Sequence, residues 1–152
     1  RTGLAARRGG AMTNEVQAAQ DEIVEEFAFF DDWMDRYQYL IDMGRKLPEF
    51  PDADRIDANK ISGCQSQVWF VAERDDGRLN FRAISDAAIV SGLIALLLRI
   101  YSGRKPQDIL DTPPDFVAAL QLEQHLSPTR SNGLSSMLQA IRNFAAEALE
   151  AA

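Results

Sequence analysis

Between Asn14 and Phe30 the apolar residues Val16, Ala19, Ile23, Phe27 and Phe30 recur three or four positions apart, with acids between them. That spacing predicts an amphipathic helix with one buried face. Asp31 and Asp32 mark a cap or a break, and a second stripe follows through Trp33, Tyr37, Leu40, Ile41 and Met43. This helix is expected to end near Lys46, because Pro48 disfavours helical backbone just before it. Residues 47–61 (LPEFPDADRIDANKI) carry two prolines and four acids with no helical or strand period. A connection of that length is more often functional than idle.

The period then changes from helical to alternating. Val68, Phe70 and Ala72 alternate with Trp69, Val71 and Glu73; Asp76-Gly77 signals a hairpin turn; Leu79, Phe81 and Ala83 alternate on the return strand. A third short strand is expected around Lys60–Ser62. Ser85 reads as the cap of the next helix, with Asp86 where the helix dipole favours an anion. That helix, about Asp86 to Tyr101, is apolar nearly all round, so it should be the central buried one, with Gly103 as its stop. Short helices are predicted at Pro106–Leu110 and Pro114–Leu120, and residues 125–133 (HLSPTRSNG) read as a turn-rich connection. A last amphipathic helix carries Leu134, Met137, Leu138, Ile141, Phe144 and Leu149. The fold class is α+β: a small antiparallel three-stranded sheet covered by helices, in one domain over residues 12–152.

Composition narrows the chemistry. The chain has 152 residues, of which 46% are hydrophobic, sufficient for one sizeable core. Residues 1–11 (RTGLAARRGGA) hold three arginines and no acid ahead of Met12 and read as an expression leader, set aside from the fold. The net charge of -7 argues against nucleic-acid binding driven by bulk charge. Ala87 to Leu98, the longest apolar stretch, is broken by Ser91 and Gly92 and too short for a membrane span. No apolar signal segment follows the arginines, and the expected location is the cytoplasm. One Cys and one His exclude an internal disulfide, a CxxC pair and a thiolate cage, so no metal site and no cofactor are expected.

That leaves Cys64. A free cysteine commonly serves as a small apolar core residue. Here Gly63 precedes it and Ser62, Gln65, Ser66 and Gln67 surround it with polar groups, the context of an approachable loop tip. The segments LPEFP (47–51), NKISGCQSQVWF (59–70), SDAAIVSGLIALLL (85–98) and QHLSPTRSNGL (124–134), in this order and at these spacings, resemble the SufE family. The likeness runs from about Phe27 through the last helix. It implies the fold shared by SufE and IscU-type proteins, with Cys64 as persulfide acceptor for a PLP-dependent cysteine desulfurase of the SufS type. The sulfur would pass on to a SufB-type scaffold complex for iron–sulfur cluster assembly, with the chain a monomer when alone. A single cysteine suits a carrier, since a second nearby would resolve the persulfide to a disulfide and release sulfide.

Around Cys64 the resemblance implies supporting or partner-contacting roles for Gly63, Gln65, Asp86 and Arg130. Read from the residues, Asp86 is a helix-start acid, and Arg130 pairs with an acid of the long loop or caps a helix end. His125 is read as structural, and Trp33 and Tyr37 as core. The thiol is expected to turn inward against Val68, Trp69, Ala87, Ala88 and Val90 beneath a loop whose backbone lies near the surface. Two other activities remain open: a relative serving a cysteine sulfinate desulfinase, as CsdE-type acceptors do, and a self-contained cysteine-nucleophile hydrolase. The latter requires a base and an orienting group beside Cys64.

Overall fold

A computed structural model describes residues 14–151, so the arginine-rich leader lies outside the described residues. Asn14 caps α1 (Glu15–Phe27): its side-chain oxygen accepts the N–H groups of Val16 and Gln17 at 2.9 and 3.2 Å. Val16, Ile23 and Phe27 form the buried stripe that the periodicity predicts, with Gln20 buried in place of the half-buried Ala19: its side chain donates to the Pro113 carbonyl and accepts the Phe116 N–H. Phe30 falls beyond the helix, half-buried, with its ring 4.8 Å from that of Tyr39. Asp32 then caps α2 (Trp33–Arg45) by accepting the Asp35 N–H at 2.9 Å. The acidic connection that follows forms two 3-10 turns, Asp52–Asp54 and Asp57–Asn59.

Strands β1 (Val68–Asp75) and β2 (Arg78–Ser85) pair antiparallel from Val68↔Ser85 to Asp75↔Arg78. Asp76 (φ 53°) and Gly77 (φ 78°) both take the left-handed conformation, which matches a two-residue turn to the twist of the strands. The sheet differs from expectation in strand number. In place of a third strand at Lys60–Ser62 there is one isolated bridge, Lys60↔Trp69, with the Ile61 N–H donating to the Val68 carbonyl at 3.0 Å. Gly63, at φ +87°, turns the chain away before a ladder can extend.

Helix α3 (Ala88–Tyr101) is buried along most of its length, as its apolar composition requires. It begins two residues after Asp86 and is followed by Gly103 at φ +80°. At its outer edge Arg99 donates to Glu22 and Glu26 of α1, and the Tyr39 hydroxyl of α2 donates to the same Glu26. Three short helices follow, α4 (Pro106–Asp111), α5 (Phe116–Ala119) and α6 (Leu122–His125), and then α7 (Pro128–Ala151). The start of α7 corrects the turn-rich reading of 125–133. Ser127 acts as its cap, its Oγ accepting the Arg130 N–H at 3.3 Å, and Pro128 sits where a missing N–H costs nothing. The consequence is spatial. Arg130, Gly133 and Met137 become successive residues on one helical face.

Helices α2 and α3 meet backbone to backbone. A Cβ on Gly44 would lie 2.6 Å from the Gly92 nitrogen and 2.8 Å from the Ser91 carbonyl carbon, and one on Gly92 would collide with the Leu40 carbonyl. Helix propensity favours Ala over Gly by roughly 1 kcal/mol, whereas overpacking costs about 1–3 kcal/mol, and a collision with backbone, which cannot yield, belongs at about 2–3 kcal/mol. Gly92→Ala is therefore expected to destabilise the fold by about 1–2 kcal/mol net in urea unfolding. A neutral or stabilised variant would contradict the close crossing.

Candidate functional site

The segment Ile61–Gln67 is held at both ends. At its start is the Ile61–Val68 hydrogen bond. At its end the Gln67 N–H donates to the Asp86 carboxylate at 3.1 Å, and the Asp86 N–H donates to the Gln67 carbonyl at 3.4 Å. Asp86 is thus a brace of the cysteine loop. This corrects the reading of it as a helix-dipole acid, because its carboxylate is turned to the loop and the helix starts later. Ser85 Oγ accepts the Ala87 N–H at 3.2 Å, so the Ser–Asp pair closes the turn between β2 and α3.

Gly63 has two reasons to lack a side chain. Its φ of +87° is costly for other residues, and a Cβ there would run into Ser136 Oγ of α7. Pressed against that helix, the loop directs Cys64 inward. The thiol is half-buried, and Sγ lies 3.8 Å from the Gly133 carbonyl, a weak S–H contact. Beside it is a small cavity of about 20 Å³. Gln65 and Ser66 of the loop, Val90 and Leu93 of α3, and Thr129, Arg130, Gly133 and Met137 of α7 line it. The wall differs from expectation in all but Val90. Val68 and Trp69 are buried elsewhere, Trp69 beneath the cations of Arg55 and Lys60 at 5.7 and 5.8 Å, and Ala88 is exposed.

Arg130 stands at this cavity and donates to the Tyr37 hydroxyl at 2.9 Å. Its partner is a phenol of α2, in place of the expected acid of the long loop. Those acids pair with other cations: Asp54 with Arg82 at 3.1 Å, Asp52 with Arg55 and Asp57 with Lys60. Tyr37 and Trp33, read as core, are half-buried. His125 is exposed and stacks on Trp33 with ring centroids 4.3 Å apart, outside the wall of the thiol cavity.

Burial pushes the Cys64 thiol above its ordinary pKa, and no cation among the described residues offsets it. In the closed loop the sulfur is therefore a protonated, weak nucleophile. Among the described residues no base contacts Sγ, which removes the dyad that a self-contained hydrolase needs. Nor do the described residues hold a cluster of three or more His, Cys, Asp or Glu side chains placed to bind a metal ion. No described helix is long and apolar enough to cross a membrane. Gly133, Leu93 and Ser136 carry no expectation from the sequence as site residues, and Met137 and Tyr37 read there only as apolar helix-face positions. The Ser-Pro cap signal followed by Arg130, Gly133 and Met137 at helical spacing was the available clue for Gly133 and Met137.

Residues 21–145 match the family model described as SufE, Fe-S metabolism associated domain. The chain is 43% identical over 130 residues to an uncharacterized SufE-like protein of Rhizobium meliloti, covering 82% of this chain and 93% of that one. A second uncharacterized SufE-like protein, from Rhizobium etli, is 42% identical over 134 residues, covering 84% and 90%. The solution structure of a hypothetical protein from Thermus thermophilus superposes with a TM-score of 0.72, covering 87% of this chain and 96% of that one. At 23% identity that likeness speaks for the fold. Sequence and architecture agree, and the chain belongs to the SufE family of Fe–S metabolism associated proteins.

Proposed function

We propose that this chain accepts sulfane sulfur from a PLP-dependent cysteine desulfurase of the SufS type and carries it as a persulfide on Cys64 toward a SufB-type scaffold. Family membership supports sulfur transfer in Fe–S metabolism. The observation that carries the finer reading is the placement of the chain's one thiol: on a loop braced at both ends, with its sulfur turned into a small cavity. The Cys64 thiolate attacks the outer sulfur of the desulfurase persulfide. A new S–S bond forms on Cys64, the old one breaks, and the desulfurase thiolate leaves. The Cys64 proton goes to solvent or to a base of the partner.

Shelter and reactivity oppose each other at this sulfur. While the loop is closed, burial keeps the thiol protonated. Outward movement between the Ile61 and Gln67 braces restores hydration, lowers the pKa toward the ordinary value, and presents Sγ to the partner. Docking of the desulfurase is the event that opens the loop. The domain assignment over 12–152 and a cytoplasmic location belong to this same proposal.

Cys64→Ser is expected to unfold within about 1 kcal/mol of wild type, since the change is nearly isosteric. It should gain no sulfur and give no stimulation of cysteine turnover when mixed with a purified desulfurase and cysteine. Mass spectrometry of the wild-type peptide containing Cys64 should show one added sulfur. Full stimulation by the Ser variant under matched reducing conditions would refute the carrier reading.

Alkylation of the free protein by iodoacetamide should rise with pH along a curve displaced above the ordinary thiol midpoint of about 8.5. The direction follows from burial disfavouring the thiolate, and denaturant should return the curve to the ordinary value. Asp86→Ala loosens the far brace, and losing a hydrogen bond worth about 0.5–1.5 kcal/mol should speed labelling roughly two- to tenfold. An unchanged rate would mean that the brace does not hold the thiol in.

A further inference from the structure

Gly133 poses a question that the thiol form does not answer. It lies inside α7, where glycine costs roughly 1 kcal/mol relative to alanine. Backbone geometry does not require it, since its φ is not among the positive ones. Close packing does not require it either. A Cβ at this position would meet Cys64 Sγ at 3.8 Å, an ordinary van der Waals contact. Alanine would therefore fit against the resting thiol and strengthen the helix. What it would occupy is the open space beside the sulfur.

That space is about 20 Å³. A cavity of roughly 10–15 Å³ on this measure admits one water-sized particle. An outer sulfur lies about 2.05 Å from the inner one. It is comparable in size to that particle, and the room available matches one such atom. Val90 and Leu93 of α3 and Met137 of α7, all three buried, line this space together with Gly133.

Resting on the persulfide reading above, we propose that Gly133 sets the sulfur capacity of the site: its missing side chain leaves room beside Cys64 for one outer sulfur and no more. Gly133 is a specificity-determining residue that touches the carried atom, with no part in bond making. A persulfide seated there is shielded from small thiols. A longer polysulfide chain cannot be closed over, and its terminal sulfur remains open to attack.

The test uses the whole protein loaded chemically, so that it does not depend on a desulfurase. Sodium polysulfide at alkaline pH places sulfur on Cys64: the thiolate attacks a sulfane sulfur, forming Cys64–S–S⁻ and releasing a shorter polysulfide or hydrosulfide. After desalting, loaded wild type, Gly133→Ala and Gly133→Ser are exposed to reduced glutathione, and the sulfur retained is followed by intact mass. Wild type should keep one sulfur and shed any second. Its persulfide should outlast that of either variant by about tenfold, the factor expected if the open loop is a roughly 10% minor state in wild type and dominant in the variants. Thiol-form labelling should be unchanged in Gly133→Ala, and its thermal midpoint equal or higher. Equal persulfide lifetimes in wild type and Gly133→Ala, or two sulfurs protected in wild type, would overturn the proposal. A wild type that protects one chemically loaded sulfur yet takes none from a desulfurase with cysteine would instead refute the carrier reading and leave the capacity of the cavity standing.

Discussion

Helix α3 has almost no surface to give to water, and the other elements arrange themselves to cover it. Its Ile89, Val90, Leu93, Ile94, Leu96, Leu97 and Ile100 are buried, and removing that much apolar area from water is the main favourable contribution to the fold. Covering it completely demands close approach. At Gly44 and Gly92 the helices α2 and α3 come together with no side chain between them, which fixes their separation by backbone contact. The polar edge of the helix is used as well: Arg99 draws α1 in through Glu22 and Glu26, while Tyr39 ties α2 to the same carboxylate. Glu26 is held below the usual carboxylate range by the hydrogen bond from Arg99.

The cysteine loop sits where this frame leaves a gap. The start of α3 supplies one wall of the gap, α7 the other, and neither can move without disturbing the core. Against them the loop itself is lightly held. A few backbone hydrogen bonds brace its ends, while the thiol in its middle makes one weak contact to a carbonyl. A rigid cradle beneath a loosely fastened loop is a sound arrangement for a sulfur that must be sheltered and then delivered. The energy needed to open such a loop is small compared with that of disrupting the helices around it.

Charge is distributed in keeping with this division. The acids of the long connection before Cys64 are largely matched by neighbouring cations, and two of those, Arg55 and Lys60, also cover the face of Trp69. The connection is thereby packed onto β1, directly upstream of the moving part. Arg130 bridges α7 to Tyr37 of α2 at the edge of the thiol cavity, so α2 is tied to one of the two helices that line it.

Local chemistry made much of this visible in the chain. The buried stripe of β2, the Asp32 cap and the Asp76-Gly77 hairpin each follow from spacing or from one residue's backbone preference, and each stands where the pattern puts it. The uniqueness of Cys64 and the segments around it were equally plain. Other features depended on contacts between distant parts of the chain. The third strand shrank to one bridge because Gly63 turns away to meet Ser136, far along the chain. Asp86 turned from the helix dipole to the loop because a backbone N–H of Gln67 stood within reach. Arg130 and Gly133 became cavity residues because Ser127 and Pro128 start a helix inside a stretch whose composition suggests turns. Periodicity and caps are properties of neighbours along the chain and can be read from it, whereas the surroundings of a sulfur belong to whatever the packed core brings beside it.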